Sequence, residues 1–453
     1  MRSFVILLAL VGATASAPVP KASVLPPAQQ AAAAASAPAS APVPASILPP
    51  AEQAAAAQIL GEIAEWIMGL DLGSGEVKHY NHSSTNTLNQ SIFINGNLAR
   101  VLMGSYRLTG NGAHLAEALR WCDAFVAQQV PVTTSEAGAE GGFWGTGYPT
   151  TVPLADGEIY LGDTGTAATA LAVCHELSAD GAQRARFEAA MHKFFAFVVG
   201  GCTTAGCGAA RRGAKPAPGF VNASAGGALG CGYYKGHLSE CPYVIATATT
   251  GAAFAAELLN IEGGPTATPT GARCAAMVGD AVRYMASLVS ADNGTVPYVI
   301  DCEAADWASW PLDTLSYVTE GLVAAHLHGA AALRPLMDGA FNATAEWLLA
   351  NQNQQGFWGS TAHAADLQRS PRVATLLTLR AQPAGPAAAA AAAATSTADP
   401  RLVAALVRYV RFLVASGDGE YGVKDILNTS GFVGLALIDM LRFGATFGTP
   451  RAP

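Results

Sequence analysis

Two aspartates precede stretches of small residues that have the spacing of a helix. Asp163 is followed by Thr164, and Asp313 is followed in the same way by Thr314. A carboxylate at a helix start accepts hydrogen bonds from free backbone N–H groups and faces the positive end of the dipole, which contributes about 1 kcal/mol. The dipole favours the ionised form, so we expect Asp163 to be charged unless burial opposes it.

A pair of acids is also what hydrolysis of a glycosidic bond requires. One carboxyl protonates the leaving oxygen, and the other activates water or attacks carbon, at a separation of about 5 to 9 Å. Asp163 and Asp313 are the predicted catalytic pair, on two different helices that could face each other across one cleft. The alternative is that each aspartate only caps its helix.

Further candidates lie mainly in the long segments between helices. Aromatic rings can stack on sugar faces while polar side chains bind hydroxyl groups, although such rings also pack loops against a core. The predicted substrate-binding residues are Trp144, Tyr148, Glu158, Asp306, Trp307, Trp310, Glu320, Trp358, Arg369 and His82.

The ends of the chain predict export. A charged start, a short apolar run and a small-residue cleavage site identify residues 1–15 as a secretory signal. Residues 16–50 contain two copies of a Pro/Ala-rich sequence and are predicted to form a disordered tether. The folded domain is predicted at 51–447, with a disordered Ala-rich insertion at 384–398 and a tail at 448–453. We therefore expect a secreted protein.

The cysteines and the sequons agree with this route. Export makes the 8 cysteines candidates for disulfides, and Cys202, Cys207, Cys231 and Cys241 crowd into one Gly-rich segment. A zinc site is the weaker interpretation because no C-x-x-C spacing occurs there. Asn-x-Ser/Thr sequons predict a glycoprotein. They begin at Asn81, Asn89, Asn222, Asn293, Asn342 and Asn428.

Charge and motifs exclude several classes. A formal net charge of -8 argues against nucleic acid as a partner. After the signal, no segment is long and apolar enough to span a membrane. Nucleophile elbow, P-loop and H-E-x-x-H motifs do not occur. The sequence predicts a carbohydrate partner, no cofactor and no metal, and leaves the oligomeric state open.

Helical periodicity runs from Ala51 to about Phe447 and predicts about twelve helices in six pairs. The long links between pairs resemble one another, as in "GGFWGTGY" from Gly141 and "QGFWGST" from Gln355. A repeated helical hairpin has to stack on its neighbours to bury its apolar face. The sequence therefore predicts an all-α repeat architecture.

This repeat resembles the six-hairpin glycosidase superfamily, most clearly in "NQSIFINGNLARVLMGSYRLTG" and "YLGDTGTAATALAVCHEL". The resemblance implies an (α/α)6 toroid whose long loops form a cleft at the N-terminal ends of the inner helices. In unsaturated glucuronyl and rhamnogalacturonyl hydrolases, an aspartate in a comparable place is the general acid. The resemblance thus favours a glycoside hydrolase with Asp163 in that role.

Other functions stay open. Related toroids include polysaccharide lyases that use His-Tyr pairs, so His79, Tyr80 and His82 are consistent with a lyase or an epimerase. Arg369 and Arg372 would suit a uronate carboxylate, or a salt bridge to a nearby acid. A non-catalytic glycan-binding protein would keep the aromatic loops. "QNQQGFWG" is similar to the Q-x-x-x-G-x-W repeat of terpene cyclases, but their acidic motifs do not occur.

Overall fold

A computed structural model describes residues 46–69, 79–80, 88–89, 92–130, 141–143, 158–200, 221–222, 228–234, 237–242, 244–289, 294–296, 311–329, 331–359, 370–382, 399–416 and 427–448. The predicted signal peptide, most of the predicted tether and the predicted Ala-rich insertion lie outside these residues. Two of the cysteines and two of the sequon asparagines named above also lie outside these residues: Cys202, Cys207, Asn81 and Asn293.

The helices of the described part, in chain order, are α1 (Pro50–Met68), α2 (Ile92–Thr109), α3 (Gly112–Ala127), α4 (Leu161–Leu177), α5 (Gly181–Gly200), α6 (Val244–Ala253), α7 (Leu259–Ile261), α8 (Pro269–Leu288), α9 (Pro311–His328), α10 (Arg334–Asn351), α11 (Val373–Ala381), α12 (Pro400–Ser416) and α13 (Leu427–Leu441). A π-turn at Phe254–Leu258 joins α6 to α7, so these two match one predicted helix. Short 3-10 turns, Ala331–Leu333 and Ser370–Arg372, precede α10 and α11. All twelve predicted helices are confirmed within a few residues.

Six helices form a closed inner ring in the order α2, α4, α6, α9, α11 and α13, which returns to α2. The outer helices α1, α3, α5, α8, α10 and α12 pack against this ring. Neighbouring inner helices run in the same direction. The α2 residues Gly96 and Met103 contact Thr166 and Cys174 of α4 in the same order along both helices. The predicted all-α (α/α)6 toroid is confirmed.

Small residues let the inner helices approach closely. A Cβ atom on Gly165 of α4 would lie 2.7 Å from the backbone carbon of Thr249 in α6. On Gly321 of α9 it would lie 2.7 Å from the backbone oxygen of Ala248 in α6. The small residues after Asp163 therefore serve backbone packing between helices.

Local signals fix where several helices begin. Pro50 occupies the first turn of α1, where its missing N–H is not needed. The side chain of Asn111 accepts a hydrogen bond from the backbone N–H of Ala113 at the start of α3. Thr268 caps α8 in the same way by accepting from Gly271 N. These caps satisfy N–H groups that have no partner within the helix.

Short strands occur at the cleft end, where the sequence showed almost no strand pattern. β1 (His79–Tyr80) pairs antiparallel with β2 (Leu88–Asn89). β3 (Glu158–Tyr160), β4 (Val221–Asn222), β5 (Ala228–Tyr234) and β6 (His237–Pro242) form one antiparallel sheet around β5. β5 is rich in Gly and Ala, so no alternating apolar pattern announces it.

Both ends of the described chain pack on the toroid. The Ser46 hydroxyl donates to the carbonyl oxygen of Met440 at 3.2 Å, and Leu48 is buried. The second Pro/Ala-rich copy therefore supplies the start of α1, and the predicted tether boundary at residue 50 is corrected to no later than Ser46.

A disulfide that the sequence did not single out joins Cys122 of α3 to Cys174 of α4.

Candidate functional site

Asp163 lies in the first turn of α4, directly after β3. Its side chain is half-buried, and burial raises its pKa from the ordinary 3.8 to about 7. Burial thus outweighs the helix dipole, which was expected to keep this carboxyl ionised. Among the described residues, none forms a hydrogen bond or an ion pair with its side chain. Asp163 is therefore able to hold a proton near neutral pH.

Asp313 lies in the first turn of α9, and its side chain is outside the described part. Because α6 separates α4 from α9, the two first turns are not directly opposed across the axis. Gly165 and Gly321 contact adjacent residues of α6 and so lie at about the same level. Asp163 precedes Gly165 by two residues, whereas Asp313 precedes Gly321 by eight. At about 1.5 Å per residue, Asp313 lies about 9 Å nearer the mouth.

Three aromatic rings from three inner helices meet inside the ring, and we call them the aromatic floor: Phe93 of α2, Tyr317 of α9 and Phe432 of α13. Their ring centroids are 5.7, 6.0 and 5.9 Å apart for the pairs Phe93–Tyr317, Phe93–Phe432 and Tyr317–Phe432. Tyr317 and Phe432 are buried, whereas Phe93 is half-buried. The floor therefore fills the inside of the ring between these three helices.

A buried set of four charges lies beneath the floor, and we call it the ionic layer: Arg100, Glu320, Arg372 and Asp439. Glu320 forms ion pairs with both Arg100 and Arg372. Arg372 also donates from Nη1 to Oδ2 of Asp439 at 2.9 Å. Burial alone would raise the pKa of Glu320, but the two guanidinium groups outweigh it and lower the pKa. The two arginines are therefore paired with the two acids inside the fold.

The C-terminal segment completes this layer from below. Thr446 donates from its hydroxyl to Oδ1 of Asp439 at 2.9 Å, and its carbonyl oxygen accepts from Nε of Arg100 at 3.3 Å. The guanidinium carbons of Arg100 and Arg372 lie 5.1 and 4.9 Å from the centroid of the Phe447 ring. Phe447 is fully buried, so the segment seals this end of the toroid.

These contacts correct two predicted site residues. Glu320 was predicted to bind substrate, but it is 2% exposed and holds two arginines in the ionic layer. Trp358 is 0% exposed and donates from its indole nitrogen to the carbonyl oxygen of Leu348 at 2.9 Å. Its ring packs on Tyr409 of α12, with centroids 5.4 Å apart. Both residues therefore stabilise the fold and present no surface to a substrate.

The long links between helix pairs resemble one another partly because two of them contain the same hydrogen-bonded glutamine and glycine. Gln352 donates from its amide to the carbonyl oxygens of Gly356 and Ala405 at 2.7 and 2.8 Å. Gln129 bonds in the same way to Gly141 and to Ala190 of α5, at 2.8 Å each. Both glycines have positive φ, and a Cβ there would lie within 2.4 Å of a carbonyl oxygen of the next outer helix. The glutamine and the glycine therefore attach each of these two links to the next outer helix.

Most of the remaining predicted residues lie outside the described part: Trp144, Tyr148, Asp306, Trp307, Trp310, Arg369 and His82. Glu158 lies in β3, and its side chain is also outside. Arg372, considered with Arg369 as a uronate fork, is fully buried in the ionic layer. The salt-bridge alternative is correct for Arg372.

The aromatic floor and two members of the ionic layer, Arg100 and Asp439, were not selected from the sequence as candidates. A usable signal was present in two inner helices. Arg100 follows Phe93 by seven residues, and Asp439 follows Phe432 by seven. Seven residues are two helical turns, so the ring and the charge lie on the same face.

Within the described residues, no three His, Cys, Asp or Glu side chains are placed to hold a metal ion. None of the described helices is long and apolar enough to cross a membrane.

Comparison with solved structures places the fold among known toroids. The α-1,6-mannanase GH76A from Salegentibacter sp. HEL1_6 matches 85% of this chain and 98% of its own, with 14% identity and a TM-score of 0.57. An inactive variant of that mannanase, with two adjacent aspartates replaced and α-1,6-mannotriose bound, gives 13% identity, a TM-score of 0.55 and the same coverage. The cellobiose 2-epimerase from Spirochaeta thermophila gives 12% identity and a TM-score of 0.54 over 87% of this chain and 99% of its own.

No family model and no curated protein matches the sequence. At these identities the structural likeness establishes the fold alone. The chain is an (α/α)6 toroid, similar in fold to the six-hairpin glycosidases and to a sugar epimerase.

Proposed function

We propose that the protein is a secreted carbohydrate-active enzyme, a glycoside hydrolase that cleaves an oligo- or polysaccharide in the cleft at the N-terminal ends of the inner helices. Asp163 carries this proposal. It is an acid without a partner among the described residues, at the start of an inner helix, with a pKa raised by burial to about 7. A carboxyl that holds its proton near neutral pH suits the general acid of a glycosidase.

In the proposed reaction, Asp163 donates its proton to the glycosidic oxygen as the bond to carbon breaks. A second carboxylate activates the water or attacks the carbon. Asp313 is the proposed second group, because its first turn belongs to the same ring of helix starts.

The fold relatives support a sugar as the substrate class. The GH76A mannanase was inactivated by replacing two adjacent aspartates and holds α-1,6-mannotriose. The epimerase acts on a disaccharide by its name. Carboxylate chemistry on saccharides is therefore compatible with this ring of helices.

The test is a screen of the purified protein against neutral and uronate-containing oligosaccharides. Reducing-sugar release and the absorbance of unsaturated products are read in parallel. We expect sugar release that Asp163→Asn lowers by at least a thousandfold and Asp313→Asn lowers strongly. Asp180→Asn is the matched control, because Asp180 caps the outer helix α5 and is exposed.

Other outcomes separate the alternatives. New absorbance without dependence on Asp163 would identify a lyase and direct attention to His79 and Tyr80. Binding of oligosaccharides without any turnover would identify a glycan-binding protein. Either result would replace the hydrolase proposal.

A further inference from the structure

We infer that the ring of Phe93 is the surface on which the apolar face of a neutral pyranose stacks while Asp163 donates its proton to the glycosidic oxygen of that sugar. This inference rests on the proposed function and adds to it both a binding residue and a substrate class.

Phe93 and Asp163 lie side by side at the same level. A Cβ on Gly96 of α2 would lie 3.0 Å from the backbone carbon of Thr166 in α4, so the two helices touch at these residues. Phe93 precedes Gly96 by three residues, and Asp163 precedes Thr166 by three. Because the helices are parallel, both side chains lie about one turn above the contact. Axes of packed helices are about 8–10 Å apart, so the two side chains can reach the same sugar ring above the contact.

Phe93 is the open member of the aromatic floor. Tyr317 is 5% exposed and Phe432 is 0% exposed, whereas Phe93 is half-buried. The two buried rings lie 5.7 and 6.0 Å from the Phe93 ring and hold it in place. A half-exposed ring held rigidly at a closed floor is suited to stack on a flat apolar partner, since little side-chain freedom is lost on binding.

The charges favour a neutral sugar. Arg100 and Arg372, the cations nearest the floor, are fully buried and compensated by Glu320 and Asp439. In the described part of the floor, no exposed cation is available to hold a uronate carboxylate. A uronate next to Asp163 would place a negative charge in a site where burial already opposes one.

The experiment measures binding by titration calorimetry in the Asp163→Asn background, so that turnover does not intervene. The probes are α-1,6-mannotriose, cellotriose and trigalacturonate. Phe93→Leu keeps apolar volume but removes the ring, and Phe93→Tyr keeps the ring. Phe125→Leu, the same change at a fully buried position in outer helix α3, controls for loosened packing. Thermal unfolding of each variant shows that it is folded.

We expect a neutral trisaccharide to bind best. Phe93→Leu should weaken it about tenfold, while Phe93→Tyr and Phe125→Leu change it less than about twofold. Binding that is unchanged in Phe93→Leu would overturn the inference and leave the proposed function intact. Preference for trigalacturonate would overturn the substrate class. Loss of affinity in Phe125→Leu equal to that in Phe93→Leu would assign the effect to packing and overturn the role of Phe93. No binding of any probe would overturn the inference and the proposed function together.

Discussion

Two acids of this protein, the half-buried Asp163 and the buried Glu320, have pKa values shifted in opposite directions, and their surroundings explain the difference. Asp163 has no charged partner among the described residues, so burial raises its pKa to about 7. Glu320 lies between two guanidinium groups, which outweigh burial and lower its pKa. The first environment is typical of a residue that exchanges protons, and the second of a residue that holds structure.

Glu320→Ala should therefore destabilise the fold rather than weaken substrate binding alone. Removing it leaves two buried guanidinium groups without their shared partner, and we expect a loss of about 3–5 kcal/mol in the free energy of unfolding. Glu346→Ala is the control, since Glu346 pairs with Arg401 at an exposed site and should cost less than about 1 kcal/mol. Urea unfolding of both variants makes the comparison, and equal small losses would show that the ionic layer contributes little.

At the scale of elements, the helices were predictable and their contacts were not. Apolar spacing of period 3.6 identified the outer helices, which have one face toward the core, whereas inner helices such as α4 are buried on nearly all sides and were identified by their runs of small apolar residues. The sheet around β5 was not predicted, because its Gly-rich strands do not alternate apolar and polar residues. The small residues after Asp163 were noticed, but only the structure shows that α4 needs them to approach α2 and α6. The repetition of the links was predicted from the sequence, but the burial of Trp358, which lies in one of these links, was not.

Gly165→Ala tests the close approach of α4 and α6. The added methyl group would lie 2.7 Å from backbone atoms of Thr249 and Thr250, which cannot move without shifting the helix. We expect destabilisation of about 1–3 kcal/mol by overpacking. Gly61→Ala in α1 meets nothing within 4 Å and should stabilise by about 0.5–1 kcal/mol through helix propensity. Chemical denaturation measures both, and a harmless Gly165→Ala would contradict the packing argument.

At the scale of the whole molecule, the inside of the ring is layered. Asp163 and Phe93 lie at the cleft end, the ionic layer lies beneath, and Thr446 and Phe447 seal the far end. The members of the ionic layer are up to 339 residues apart between Arg100 and Asp439, so no local pattern links them. The toroid could be predicted from its repeat, whereas this layering depends on which side chains the closed ring brings together.

The most direct test of the central claim is the pH dependence of kcat/KM for the best substrate of the oligosaccharide screen. This ratio reports the ionisations of the free enzyme. A general acid acts in its protonated form, so activity should be high below the pKa of Asp163 and fall as pH rises through about 7. A rate that increases through pH 7, or one that shows no inflection there, would contradict the assignment of Asp163 as the proton donor.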